Sequence, residues 1–393
     1  MQLLNGNFET NEFIKPVQCK SWLFLCNIEW VSQILFMKIF FIFVFFAGIT
    51  SGFNCKKSSS NSSPIHIDTL PVDTTHHVDT LPVVNTFFAK GADVSWVTQM
   101  ESQGLQFYNK SSVQQDIFQV LKSEGINSIR LRAWVNPADG YNNTADVVAK
   151  AIRAKTAGMK IMIDFHYSDT WADPGHQTIP AAWTNENIND LQISVHDYTV
   201  SVMDSLKTNG IFPEWVQVGN ETNDGMLWPL GRADSSMANF ALLVNAGYNG
   251  VKSVSDSSKV IVHISNGYDN SLFRWVFDGL KNNGAKWDII GMSLYPPGNS
   301  WSTYNIQCQS NMSDMIARYS KPVMICEVGM SWTDSSACNS FISDLITKTK
   351  SVSGNKGLGV FYWEPEAYHN WQGYSLGAFD NSGKPTIALN AFK

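Results

Sequence analysis

The sequence predicts an α/β protein, a (β/α)8 TIM barrel in a single domain, on three observations. From Phe87 to the C-terminus, eight short apolar runs alternate with stretches of helical period. That portion is roughly 300 residues long, a size at which one barrel closes around a full core. The out-of-place polar residues cluster at the C-terminal ends of the strand-like runs, the end at which barrels carry chemistry.

The strands are expected in order at Phe88–Ser95, Ser128–Trp134, Lys160–His166, Trp215 onward, Val260–Ile264, Trp287–Tyr295, Pro322–Gly329 and Gly359–Glu364. Between the first two, Ser111-Ser112 read as the cap of a helix carrying Val113, Ile117, Val120 and Leu121, which stops at Gly125. Further helices are expected near 144–157, 192–208, 235–253, 272–280, 311–319 and 339–350, with a closing helix near 385–392.

Residues 1–54 read as an N-terminal extension with a signal peptide, the true start being Met37. Lys38 precedes the apolar run Ile39–Ala47, then small residues lead to Cys55. Residues 55–86 read as a lipidated Cys55 followed by a flexible linker, and 87–393 as the barrel. The linker holds a Ser-rich stretch and two copies of an Asp-Thr-Leu-Pro-Val motif, at 68–72 and 79–83, without hydrophobic period. His76-His77 lie within it as a solvated pair.

The formal charge of −6 gives no electrostatic support for a nucleic-acid partner. The 14 tryptophans exceed what a core needs and suggest flat apolar platforms of the kind sugar rings prefer. Trp171, Trp183, Trp228 and Trp332 divide between packing and groove lining. Cys308 and Cys338 sit in polar, loop-like sequence, so either a bridge or two free thiols is open. Cys326 adjoins Glu327 within a strand, so strict alternation turns the two side chains opposite ways.

Around the expected barrel mouth stand Arg132, His166, Asp169, Trp171, Asn220, Glu221, His263, Tyr295, Glu327 and Trp363. A carboxylate at the end of a buried strand is costly unless the site uses it. Two of them, Glu221 and Glu327, are what glycoside hydrolysis requires: one acid/base and one nucleophile. In that reading Glu221 has a raised pKa, and Arg132 with Tyr295 keeps Glu327 ionised. Asn220 donates to a sugar 2-hydroxyl and Trp363 forms a floor. The alternative for Arg132, and more so for Arg130, is a buried ion pair within a barrel layer. For His166 and His263 it is a satisfied core role. His166, Asp169 and His263 lack metal-ligand spacing, so no metal or other cofactor is expected. Asn220-Glu221-Thr222 matches a glycosylation sequon only by coincidence.

Several stretches together resemble glycoside hydrolase family 53, the arabinogalactan endo-β-1,4-galactanases. They are Lys90–Trp96, Ile129–Pro137, Asp164–Pro174 and Val218–Asn223. The resemblance covers Phe87 to the C-terminus. It implies a retaining endo-hydrolase acting on β-1,4-galactan, with Glu221 as acid/base and Glu327 as nucleophile. Some bacterial members bind calcium in an acidic loop after the nucleophile strand. Here that loop, Met330–Asn339, has only Asp334 as a carboxylate, so no calcium site is expected. Two rival readings stand beside this one: a non-catalytic glycan-capture lipoprotein, and the same chemistry on mannan or xylan.

Overall fold

The computed structural model describes residues 87–393; the expectations for the leader, Cys55 and the linker lie outside the described residues. Eight parallel strands pair in sequence order and close into a barrel. They are β1 (Ala89–Asp93), β2 (Ser128–Ala133), β3 (Lys160–Phe165), β4 (Trp215–Val218), β5 (Lys259–Ile264), β6 (Ile289–Leu294), β7 (Val323–Val328) and β8 (Gly357–Trp363). The helices are α1 (Val97–Ser102), α2 (Ile117–Ser123), α3 (Thr144–Thr156), α4 (Ile188–Thr208), α5 (Ala233–Val254), α6 (Asn270–Asn282), α7 (Trp301–Tyr319) and α8 (Ser335–Ser351). The chain closes with a 3-10 helix, Ile387–Phe392, in place of the expected helix.

Each strand sends alternate residues outward to the helices and inward to the barrel. Outward residues such as Ile129, Ile163, Val216, Val260 and Ile325 join the main core with the helices. The lower barrel interior is filled by Ala89, Met162, Trp215, Ile261, Ile289, Met324, Cys326 and Phe361. Above that apolar plug the inward positions turn polar: Asp93, Arg130, Asp164, Gln217 and His263, all buried. The interior is therefore dry below and charged toward the mouth.

Four sequence expectations need correction. Ser111-Ser112 do not cap a helix; Asp116 caps α2 by accepting from the Phe118 N–H at 2.8 Å, and Val113 lies exposed before it. α1 was not foreseen, because its 6 residues are too few to carry a clear period. α7 starts ten residues earlier than expected, since its first half buries Asn305 instead of an apolar stripe. Cys308 and Cys338 accordingly lie on α7 and α8, not in loops. Both are buried free thiols.

The fourth correction concerns β7. The β6–β7 register steps from Met292↔Ile325 to Ser293↔Glu327, leaving Cys326 without a partner. This bulge breaks the alternation. Cys326 joins the interior plug, yet Glu327 is also brought to the interior above it.

A reductant is expected to leave the melting temperature unchanged within about 1 °C. A bridge between Cys308 and Cys338 would be worth ~2–4 kcal/mol, and its reduction would lower the melting temperature by several degrees. Calorimetric scans with and without dithiothreitol distinguish the two.

Candidate active site

β4 ends in a sharp reversal. Gly219 has φ 84°, and Glu221 takes φ 45°, rare for a residue with a side chain. A Cβ on Gly219 would fall 2.5 Å from Thr222 Cγ2. The reversal is held by the Thr222 N–H, which donates to the His263 carbonyl at 2.9 Å. It turns both Asn220 and Glu221 into the mouth.

Arg130 lies at the centre. Its Nη1 pairs with Asp93 at 2.7 Å, and its Nη2 with Asp164 at 2.9 Å and Glu327 at 2.8 Å. Its Nε donates to Gln217 Oε1 at 3.1 Å, and its Nη2 also donates to Asn220 Oδ1 at 2.9 Å. The Tyr295 hydroxyl donates to the other oxygen of Glu327 at 3.0 Å. Burial works against the charge on Asp164, but Arg130 and His166 prevail and hold its pKa at about 2.

The two histidines are neutral. His166 Nδ1 accepts from the Ala172 N–H at 2.9 Å and from Trp134 Nε1 at 3.2 Å, so Nε2 carries the proton toward Asp164 at 3.0 Å. His263 has Nε2 2.7 Å from Ser293 Oγ, and Nδ1 2.8 Å from Gln217 Nε2. Burial lowers both histidines, and Arg130 adds to the effect.

Burial pushes Glu221 up to about 7, opposed by a hydrogen bond from Ser293 and by Arg130. Burial also raises Glu327; Arg130 opposes that shift and the charge of Glu221 adds to it. Two carboxylates sharing a dry cleft hold one proton between them near neutral pH. The arginine contact and the tyrosine donor fix the remaining negative charge on Glu327, leaving the proton with Glu221.

Both carboxylates line one cleft of about 670 Å3 at the C-terminal mouth of the barrel. Its walls are aromatic: Trp96, Trp134, Trp171, Trp363, Tyr295 and Tyr374. A paired, unequal set of carboxylates after β4 and on β7, beneath tryptophans packed edge to face, is equipped to cleave a glycosidic bond.

The comparisons with known proteins agree. The profile of Glycosyl hydrolase family 53 matches residues 89–392. The chain belongs to glycosyl hydrolase family 53. It is 35% identical to a probable arabinogalactan endo-β-1,4-galactanase A of Neosartorya fischeri, over 72% of this chain and 85% of that one. It is 34% identical to the arabinogalactan endo-β-1,4-galactanase of Thermothelomyces thermophilus, over 77% and 98%. A solved fungal β-1,4-galactanase superposes with a TM-score of 0.73 at 33% identity, over 78% of this chain and 99% of that one.

In this family 53 hydrolase, seven of the residues expected at the site line the cleft: His166, Trp171, Asn220, Glu221, Tyr295, Glu327 and Trp363. Three do not. Arg132 does not hold Glu327; its Nη1 meets Glu364 Oε1 at 3.3 Å, and its plane is covered by tryptophans. Arg130 makes the contact instead, because the bulge in β7 brings Glu327 within its reach. Asp169 accepts from the Asn136 N–H at 2.9 Å and the Ala181 N–H at 2.8 Å, so it ties two loops together outside the cleft. His263 is wholly buried beneath Asn220 and Ser293. Trp183, Trp228 and Trp332 stand away from this cleft. Sequence reasoning missed Gln217, Glu364, Trp96 and Tyr374. For Trp96 a signal existed, since it closely follows the C-terminal end of β1.

Thermal stability is expected to fall as pH drops below about 4 and to stay nearly level from about pH 4.5 to 7, where the raised carboxyls lose stability on ionising and the buried, neutral His166 and His263 gain it. Asp164 contributes fully above its unfolded value near 4, and that contribution is lost as pH falls toward 2. Glu221 and Glu364 are both raised to about 7. Their contribution is full below about 4.5 and lost as pH rises through 7. Calorimetry from pH 3 to 8 checks this; a melting temperature that climbs steadily to pH 8 contradicts it.

Proposed function

We propose that this chain is a retaining endo-β-1,4-galactanase acting on the galactan of type I arabinogalactan and pectin. The observation that carries the reading is the placement of Glu221 and Glu327 in one cleft, with Glu327 clamped by Arg130 and Glu221 not. The names of the relatives supply the sugar; strand-end carboxylates alone do not choose among galactan, mannan and xylan.

In this mechanism the Glu327 carboxylate attacks the anomeric carbon as the glycosidic C–O bond breaks. Glu221 gives its proton to the departing oxygen, which leaves as a sugar hydroxyl. A galactosyl ester of Glu327 results. Glu221, now ionised, takes a proton from water, and the hydroxide oxygen replaces Glu327 at the anomeric carbon with net retention. Asn220 Nδ2 spends one hydrogen on the Ala172 carbonyl at 2.8 Å and has a second to offer the 2-hydroxyl. The tryptophans hold the apolar faces of neighbouring sugars.

Glu221→Ala and Glu327→Ala are each expected to lower kcat on galactan by at least about 10³-fold. On an aryl galactoside whose leaving group needs no proton, Glu221→Ala should form its first product at near-normal rate and lose the alkaline limb near pH 7. Reducing-end release and stopped-flow burst measurements read both. Full galactan turnover in either variant sinks the assignment, and galactan binding with no reducing ends released points to a capture protein. Mannan and xylan controls test the sugar.

We further propose that the chain works outside the cell, tethered through a lipid on Cys55. Expressed in a lipoprotein-processing bacterium, the unaltered chain should fractionate with membranes and Cys55→Ser should not. Equal fractionation of the two contradicts the tether.

A further inference from the structure

Two arginines enter the barrel from β2, and they have opposite surroundings. Arg130 is ringed by oxygen. Arg132 is ringed by indole: its guanidinium carbon lies 4.1 Å from the Trp171 ring centre, 4.9 Å from Trp134 and 5.7 Å from Trp96. Its Nε and Nη2 are buried with no hydrogen-bond partner. Among the described residues its single counter-ion is Glu364, 3.3 Å from Nη1.

Glu364 is held firmly. It follows the last residue of β8 with φ 46°, a left-handed conformation that costs ~1–3 kcal/mol without a structural reason. Its N–H donates to the Asp93 carbonyl at 3.0 Å, and its Oε2 accepts from the Trp96 N–H at 3.2 Å. The neighbouring Glu366 is buried with no donor on either oxygen. A carboxyl in that position carries its own proton, while Glu364, raised to about 7 by burial and by Asp93, is charged against Arg132 at and above neutral pH.

The rings around Arg132 are the cleft wall. Trp96 lies 5.1 Å from Trp363 and 5.7 Å from Trp171; Trp171 lies 5.2 Å from Trp134 and 5.8 Å from Trp363. All four line the cleft, and Arg132 does not. The guanidinium thus stands behind the wall while Glu364 fixes it from β8.

We infer that Arg132 and Glu364 are positioning residues that align the tryptophan wall and set how tightly the cleft holds a sugar chain. The inference rests on the carbohydrate reading of the cleft. Chemistry at the anomeric carbon is left to the separate cluster around Arg130. A Lys at 132 would supply charge without the plane that stacks between indoles.

The test measures β-1,4-galactotetraose binding by titration calorimetry in a Glu221→Gln background, where turnover is suppressed. Glu364→Gln leaves a buried cation unpaired and is open to misfolding, so Arg132→Met/Glu364→Gln removes both charges together. The double variant is expected to melt within a few degrees of its parent and to bind about tenfold more weakly. With Glu221 restored, KM should rise by about the same factor and kcat change by less than about threefold. Parental affinity in the folded double variant overturns the inference. So does a fall in kcat at unchanged KM. If the parent binds no tetraose, the substrate reading fails instead. Near-ultraviolet circular dichroism then decides the wall question without ligand: a changed tryptophan signal in the double variant supports the positioning role, and an unchanged one refutes it.

Discussion

The active end of this barrel depends on one buried guanidinium. Arg130 cannot shed its proton, and it is surrounded by Asp93, Asp164 and Glu327. Solvation lost by those charges is recovered only through contacts of this quality. The cation also settles the groups around it. It holds Asp164 ionised, adds to the burial that keeps His166 and His263 neutral, and opposes the upward shift that burial gives Glu327. Three carboxyl groups share this one cation, and Glu221, buried nearby, is pushed up to about 7 and favours holding a proton. The unequal state of the two glutamates follows from the charge balance of the barrel interior, before any substrate is present.

Backbone strain brings the polar residues to the mouth. Tyr167, Glu221 and Glu364 follow β3, β4 and β8, and each adopts a left-handed conformation. Such a residue reverses the alternation of the strand before it, so consecutive side chains serve different purposes. Asn220 turns to the Arg130 cluster while Glu221 turns to Ser293. Trp363 joins the cleft wall while Glu364 goes beneath it. The bulge at Cys326 achieves the same result on β7 by inserting a residue. A regular strand could not deliver Glu327 to the interior directly above another interior residue.

The fold was legible because each strand is a short apolar run and each helix but α1 and the first half of α7 has a clear period. The two glutamates were legible because acids at the ends of Trp215–Val218 and Val323–Val328 have no place in a core. The exchange of Arg130 for Arg132 was not legible. Alternation assigns both to the interior, but it cannot say which layer each occupies or what the facing strand has done. The deciding feature, the bulge in β7, leaves no mark in Val-Met-Ile-Cys-Glu-Val. α7 was half hidden because it buries Asn305 and Asn311 through side-chain hydrogen bonds, to Phe341 O and Gly267 O, where apolar periodicity was sought. The thiols were misplaced for the same reason: polar neighbours read as loop, and the helix supplied the burial.

Glu327 is buried and Glu221 half-buried, and burial raises both, so it is their partners that assign the proposed roles. Glu327 is held by an arginine and a tyrosine hydroxyl, which both donate. Arginine has no accepting form, so Oε1 must stay an acceptor, and the ionised form of Glu327 is the one that receives hydrogen bonds on both oxygens. That suits a carboxylate which must remain anionic until it bonds to carbon. Glu221 meets the Ser293 hydroxyl, which can donate to a carboxylate or accept from a carboxylic acid. His263 Nε2, 2.7 Å away, donates to the same oxygen because Nδ1 faces the Gln217 amide N–H, which leaves the serine hydrogen free to point at Glu221. A group required to give up a proton in one step and regain it in the next needs a neighbour that tolerates both states. The serine at the end of β6 provides that neighbour for Glu221, while Arg130 denies it to Glu327.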